Sequence, residues 1–194
     1  MKTKTALRRS IVVVSIVTLS VLIGFLCQSL LHRMDLKNYP RTYSEYVSQY
    51  AEEYGVPEYV AYGVIKYESS FASNHVGDDG GIGLMGIDKD SFDGMMRELG
   101  ENLTHDALYG PETNIKYGIY ELSRLFVRYG KWSYVMAAKA AGAAQSDRWL
   151  SDTANFDDTG SFTGLPKDSA NVGDELIGIA EKYRILYYDD LSGK

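Results

Sequence analysis

Residues 11–31 form an unbroken run of 21 positions with no charged side chain, most of them Ile, Val or Leu. As a helix, such a run spans roughly 30 Å of hydrocarbon, the thickness of a bilayer core. It therefore divides the 194-residue chain before anything else is read: a short basic start, one apolar segment, and room for one compact domain. Lys2, Lys4, Arg8 and Arg9 precede the run, while Arg33, Lys37 and Arg41 follow it. The leading cluster favours a cytoplasmic N-terminus and an exported remainder, although the bases that follow make the asymmetry modest. A cleaved signal peptide is the competing reading. Against it, the run is longer than a usual signal core and no A-x-A-like site follows. Bulky Leu26 precedes Cys27 where a lipid-modified cysteine needs a small residue, and Arg8-Arg9 is only a weak hint of twin-arginine export. The expected organisation is a cytoplasmic stretch 1–10, a single-pass membrane anchor 11–31, a linker 32–42 and an extracytoplasmic domain 43–190.

Charge and metal-ligand content narrow the chemistry of that domain. Residues 1–41 hold seven of the 20 Lys and Arg and one of the 26 Asp and Glu. The rest holds 13 basic and 25 acidic side chains, a net of −12. So acidic a domain argues against a nucleic-acid partner. Cys27 is the only cysteine, which excludes an internal disulfide or a cysteine metal site. His32, His75 and His105 are scattered and show no H-E-x-x-H spacing, so no zinc enzyme is expected.

The periodicities beyond residue 42 are helical. Tyr39, Tyr43, Tyr46, Tyr50 and Tyr54 recur at steps of three and four, one face of a helix that Gly55 ends. A tyrosine stripe of this kind is more often core than sugar-binding surface. Pro57 and Glu58 suit the first turn of a second helix, with Val60, Val64, Tyr67 and Phe71 on its buried face. Gly77, Gly80, Gly81, Gly83 and Gly86 make residues 74–87 a loop whose backbone approaches something closely. Lacking G-x-x-x-x-G-K-[ST], it is no phosphate cradle. A short helix is expected at Ser91–Leu99 and a longer one, opened by Pro111, along Ile115, Ile119, Leu122, Phe126 and Tyr129 to Gly130. Trp132–Leu150 reads as helical with a break at Gly142, residues 151–170 as a long loop, and Asp174–Leu186 as a last helix. The domain is mainly α, with a small hairpin in the Gly-rich loop or within 155–166 as its only strand-like feature.

Within this frame Glu68 is the candidate acid. It lies one turn beyond Val64, at or beside the apolar face. A carboxyl among apolar side chains has a raised pKa and can stay protonated to donate to a leaving oxygen. Ordinary glycosidases need a second carboxylate, and Asp78, Asp79, Asp88 and Asp90 sit on no obvious rigid element. On spacing alone, a single helical glutamate is more often structural.

Four short motifs give a family resemblance over residues 43–150. Glu68-Ser69, Gly83-Leu84-Met85, Pro111-Glu112-Thr113-Asn114-Ile115-Lys116-Tyr117-Gly118 and Ala138-Lys139-Ala140-Ala141-Gly142 occur in order. In these the chain resembles the SLT domain of lytic transglycosylases, a relative of goose-type lysozyme. The resemblance implies a lysozyme-like helical fold acting on peptidoglycan glycan strands without metal or cofactor. It implies cleavage of the β-1,4 bond between N-acetylmuramic acid and N-acetylglucosamine. Glu68 would act first as acid, then as base while the muramic C6 hydroxyl attacks C1, giving a 1,6-anhydro product. Ser69, Gly83, Leu84, Met85 and Lys139 take the substrate-binding positions.

The departures from the family pattern matter as much. Gly86 replaces the Gln after Leu-Met, Gly77 a loop Ser, and Lys139 and Ala140 the Tyr and Asn of A-Y-N; a late Tyr falls near Gly173. Each lost polar group leaves a sugar group unpartnered, on the order of 1 kcal/mol apiece. Lys139 either approaches Glu68 and lowers its pKa or turns to solvent and leaves a vacancy. Three readings follow: a membrane-anchored transglycosylase, a non-catalytic glycan-binding or scaffold module of an envelope assembly, or a hydrolase with Asp78 or Asp79 as base.

Overall fold

The computed structural model describes residues 2–188, which divide into two compact units meeting at Pro40 and Arg41. The first is a single helix, α1 (Lys2–Asn38). Its segment Val13–Asn38 holds an 18-residue window of mean hydropathy 2.2 and is long and apolar enough to cross a membrane. The expected linker is thus helical as far as Asn38. The reason is local: residues 32–38 are polar but hold neither Gly nor Pro, and the first breaker is Pro40.

The second unit is helical throughout. In order come α2 (Ser44–Tyr54), α3 (Glu58–Ser69), α4 (Lys89–Leu99), α5 (Pro111–Tyr129), α6 (Trp132–Ala141), α7 (Ala143–Ser151) and α8 (Lys167–Tyr187). Short 3-10 turns cover His105–Tyr109 and Thr153–Asn155. No strand forms among the described residues; at both places where a small hairpin is expected there are only isolated bridges, Val76–Ile82, Ile82–Ile87 and Phe156–Phe162. Helix α8 packs along α3 and α6, α2 lies on α5, and α5 lies on α6. The Gly-rich loop sits over an apolar cluster of Ile82, Ile87, Phe92, Met95, Leu108 and Tyr117.

Three local expectations need correction. Tyr67 is 49 % exposed, not core. Every residue from Val60 to Ile65 is buried, so α3 is covered all round at its middle and cover ends at its last turn. Phe71 lies beyond the helix, which stops at Ser70 and Phe71 in left-handed conformations, φ 47° and 72°. The last helix begins at Lys167, seven residues before Asp174, with Pro166 as its cap. Gly173, just ahead of the expected start, is a contact: a Cβ there would overlap the Ser133 carbonyl oxygen, so α8 and α6 touch backbone to backbone.

Candidate active site

The end of α3 and the Gly-rich loop are tied by the motif residues themselves. Ser69 Oγ donates to the Leu84 carbonyl at 2.9 Å, shares the Ile65 carbonyl at 3.2 Å, and accepts from the Phe71 amide at 3.1 Å. It thereby holds both the left-handed turn and the loop. Asn114, fully buried on α5, secures the other side. Its Nδ2 donates to the Ile82 and Leu108 carbonyls and its Oδ1 accepts from the Met85 amide, each at 2.8 Å. Gly83 has φ +79°, and a Cβ there would overlap the Asn114 amide, so only glycine fits this clamp. Leu84 and Met85 are wholly buried, with Met85 packed against Gly118. Ser69, Gly83, Leu84 and Met85 thus contact the protein's own chain and shape the turn that ends at Gly86.

Glu68 lies over that turn. A Cβ at Gly86, where φ is +58°, would sit 2.5 Å from Glu68 Oε2. The carboxylate occupies the space a side chain at 86 would fill. Glu68 makes no hydrogen bond among the described residues, which leaves its oxygens available. Burial pushes its pKa above the usual carboxylate range; Lys139 pulls it back, while Asp79 and Glu121 push it further up.

Lys139, in the last turn of α6, does not turn to solvent; it comes near Glu68 and lowers its pKa, but forms no ion pair with it among the described residues. Its side chain is only 6 % exposed, and it ion-pairs Glu121 of α5 at 3.2 Å. Its Nζ also donates to the Gly86 carbonyl at 2.8 Å. Burial alone would lower its pKa, but Glu121 and then Glu68 more than offset that, and it stays charged. A cleft of about 1030 Å³ opens beside this cluster, with Asp79, Gly86, Asp88, Glu121, Lys139 and Ala140 in its wall. Glu68 meets that wall at Gly86. Asp88 accepts from the Ser91 amide at 2.9 Å and caps α4, a structural use.

Sequence reasoning passed over Glu121 and gave Asn114 no role beyond the motif. Their shared signal is spacing: Asn114, Gly118 and Glu121, at steps of four and three, form one stripe of α5 that faces the loop and the cleft.

The family model of the transglycosylase SLT domain matches residues 45–162. The chain belongs to this family. Among solved structures, the SLT domain is similar to a 70-kDa soluble lytic transglycosylase from Escherichia coli, with 21 % identity and a TM-score of 0.67 over 80 % of this chain and 26 % of that one. A 70-kDa soluble lytic transglycosylase in complex with bulgecin A gives 20 % identity and a TM-score of 0.66, again over 80 % and 26 %. An inactive mutant of lytic transglycosylase Slt from Pseudomonas aeruginosa gives 21 % and 0.62, over 76 % and 25 %. The chain therefore spans about a quarter of the length of these proteins, and the likeness is one of fold. No curated protein matches the sequence.

Proposed function

We propose that this SLT domain is a peptidoglycan lytic transglycosylase that cleaves between N-acetylmuramic acid and N-acetylglucosamine, with Glu68 as acid and then base. The observation that carries this reading is the state of Glu68: burial raises its pKa, and no described residue takes its oxygens. A carboxyl so placed holds its proton more tightly than an exposed one and has both oxygens free for substrate. Glu68 first protonates the glycosidic oxygen as the C1–O bond breaks. The resulting carboxylate then accepts the proton of the C6 hydroxyl as that oxygen bonds to C1. The proton returns to Glu68, so one group serves both steps. Ser69, Gly83, Leu84 and Met85 act by shaping the floor, and Lys139 presents a cation at the cleft wall. The apolar helix α1 fits a single-pass anchor that leaves the domain outside the cytoplasmic membrane.

A second reading is a catalytically impaired glycan-binding or scaffold module of an envelope assembly. It is favoured by Lys139, a buried cation that acts on Glu68 and stands where the family has a tyrosine. The hydrolase reading keeps Asp79, which lines the cleft and acts on Glu68. Digestion of purified peptidoglycan by the full chain in detergent, read by mass spectrometry, separates the three. Anhydro-muropeptides that fall at least about 100-fold in Glu68→Gln are the expected result. Reducing ends would instead show a water-using hydrolase. No products from either protein, together with co-sedimentation with sacculi, would leave only the binding module.

A further inference from the structure

The Glu121–Lys139 pair is buried beside Glu68, yet the reaction above assigns Glu121 nothing. We infer that Glu121 is a positioning residue: it holds the Lys139 ammonium on the Gly86 carbonyl and so keeps that cation from closing on Glu68. The inference rests on the reading of Glu68 as the acid.

Three observations carry it. First, Lys139 reaches Glu121 at 3.2 Å and the Gly86 carbonyl at 2.8 Å, while no ion pair joins it to Glu68 among the described residues. Second, Glu68 is close at hand. Its carboxylate lies over Gly86, the residue whose carbonyl Lys139 binds. Third, both members of the pair are withdrawn from water, with side chains 6 % and 16 % exposed. A buried ammonium must keep a counter-charge.

Remove the charge of Glu121, and Lys139 retains only one carbonyl. After Glu121, Glu68 is the carboxylate that acts on it most strongly, ahead of Asp88. The flexible lysine stem lets the ammonium swing. Of the other cations of the cleft wall, Arg124 pairs with Glu98 at 3.0 Å and Arg128 with Asp147 at 3.5 Å, and Lys89 is not among the groups that act on Glu68. The charged and titratable groups facing Glu68 are Lys139 from α6, Asp79 from the loop, Glu121 from α5 and Tyr67 on its own helix. Lys139 is the only cation in that set, so its position decides whether the proton stays on Glu68. Glu121 acts through Lys139 and needs no contact with substrate.

The test is a carbon-13 carboxyl titration of Glu68 in the full chain in detergent micelles, with the signal assigned by its loss in Glu68→Gln. In Glu121→Gln the Glu68 midpoint should fall by about one pH unit or more, as a new ion pair with Lys139 adds to the lost push of the Glu121 carboxylate; Glu121→Asp keeps that charge and reads the position of Lys139 alone. Glu121→Gln combined with Lys139→Met should return it to the wild-type value or above, and Glu121→Asp should give an intermediate value. A midpoint unmoved in Glu121→Gln overturns the inference, and so does a fall that the double variant fails to reverse. Should Glu121→Gln not fold by circular dichroism, Glu121→Asp decides: no movement there overturns the inference. Peptidoglycan digestion is read separately. A chain that shows the titration pattern but releases no products loses the proposed reaction and keeps this role for Glu121. One that releases anhydro products with an unmoved titration does the reverse.

Discussion

A methyl group at position 86 would sit 2.5 Å from Glu68 Oε2, so the missing side chain and the seat of the carboxylate are one feature. Replacing Gly86 with Ala adds that overlap to a left-handed backbone that L-residues resist. Gly86→Ala should cost about 1–2 kcal/mol in urea unfolding and displace Glu68. A neutral outcome would mean that the carboxylate has another seat. Glu68 also sets a pH dependence. Its folded pKa lies above the ordinary 4.5, so the folded state holds the proton more tightly than the unfolded one. The stability this brings is fully present below the unfolded value and is lost as pH rises through the folded one. Glu68→Gln keeps a neutral group at all pH values. Its melting temperature should therefore match the wild type at acid pH and exceed it increasingly toward neutral. The opposite trend would show Lys139 already paired with Glu68.

At the scale of elements, α5 brings the site together. Its stripe sets Asn114 on the loop, Gly118 against Met85 and Glu121 on Lys139. Asn114→Ala would strand the Leu108 carbonyl and the Met85 amide inside the protein, while the Ile82 carbonyl keeps the Ile87 amide at 3.0 Å. At about 1–3 kcal/mol per buried group left unpaired, the loss should reach at least about 2 kcal/mol. Urea unfolding measures the total, and hydrogen exchange should accelerate first at residues 82–87. A cost below about 1 kcal/mol would mean that the loop is held elsewhere. The limits of α5 were legible because Pro111 and Gly130 bracket a clean apolar period, and Glu68-Ser69 with the Gly-rich loop was legible as motif. Glu121 was not. It is one glutamate beside Leu122 on an ordinary amphipathic helix, and its partner lies 18 residues on, across a turn that no local pattern encodes. The start of α8 was hidden for a related reason, since a glycine that breaks an isolated helix can also let two helices touch.

The whole molecule joins a domain of net charge −12 to a helix that no aqueous setting suits. Leu22, Phe25, Leu26 and Leu30 of α1 are each at least 60 % exposed. The span Val13–Asn38 buries none of its apolar window within the protein. An apolar surface this continuous marks contact with lipid or with another apolar surface. A retained anchor and a cleaved signal both pass the test of length and composition, and they differ in what the mature chain contains. We expect the protein to stay with membranes washed in alkaline carbonate and to keep an intact N-terminal peptide by mass spectrometry. Leu22→Arg, near the centre of the run, should weaken that retention, because a charge there costs about 2.5–3.5 kcal/mol of insertion free energy. An Arg at Asn38, where the helix ends, should leave retention unchanged, since charges at a helix end reach the interface. A mature N-terminus beyond residue 31, with the protein in the carbonate wash, would remove the anchor. It would also free the domain to act away from the membrane.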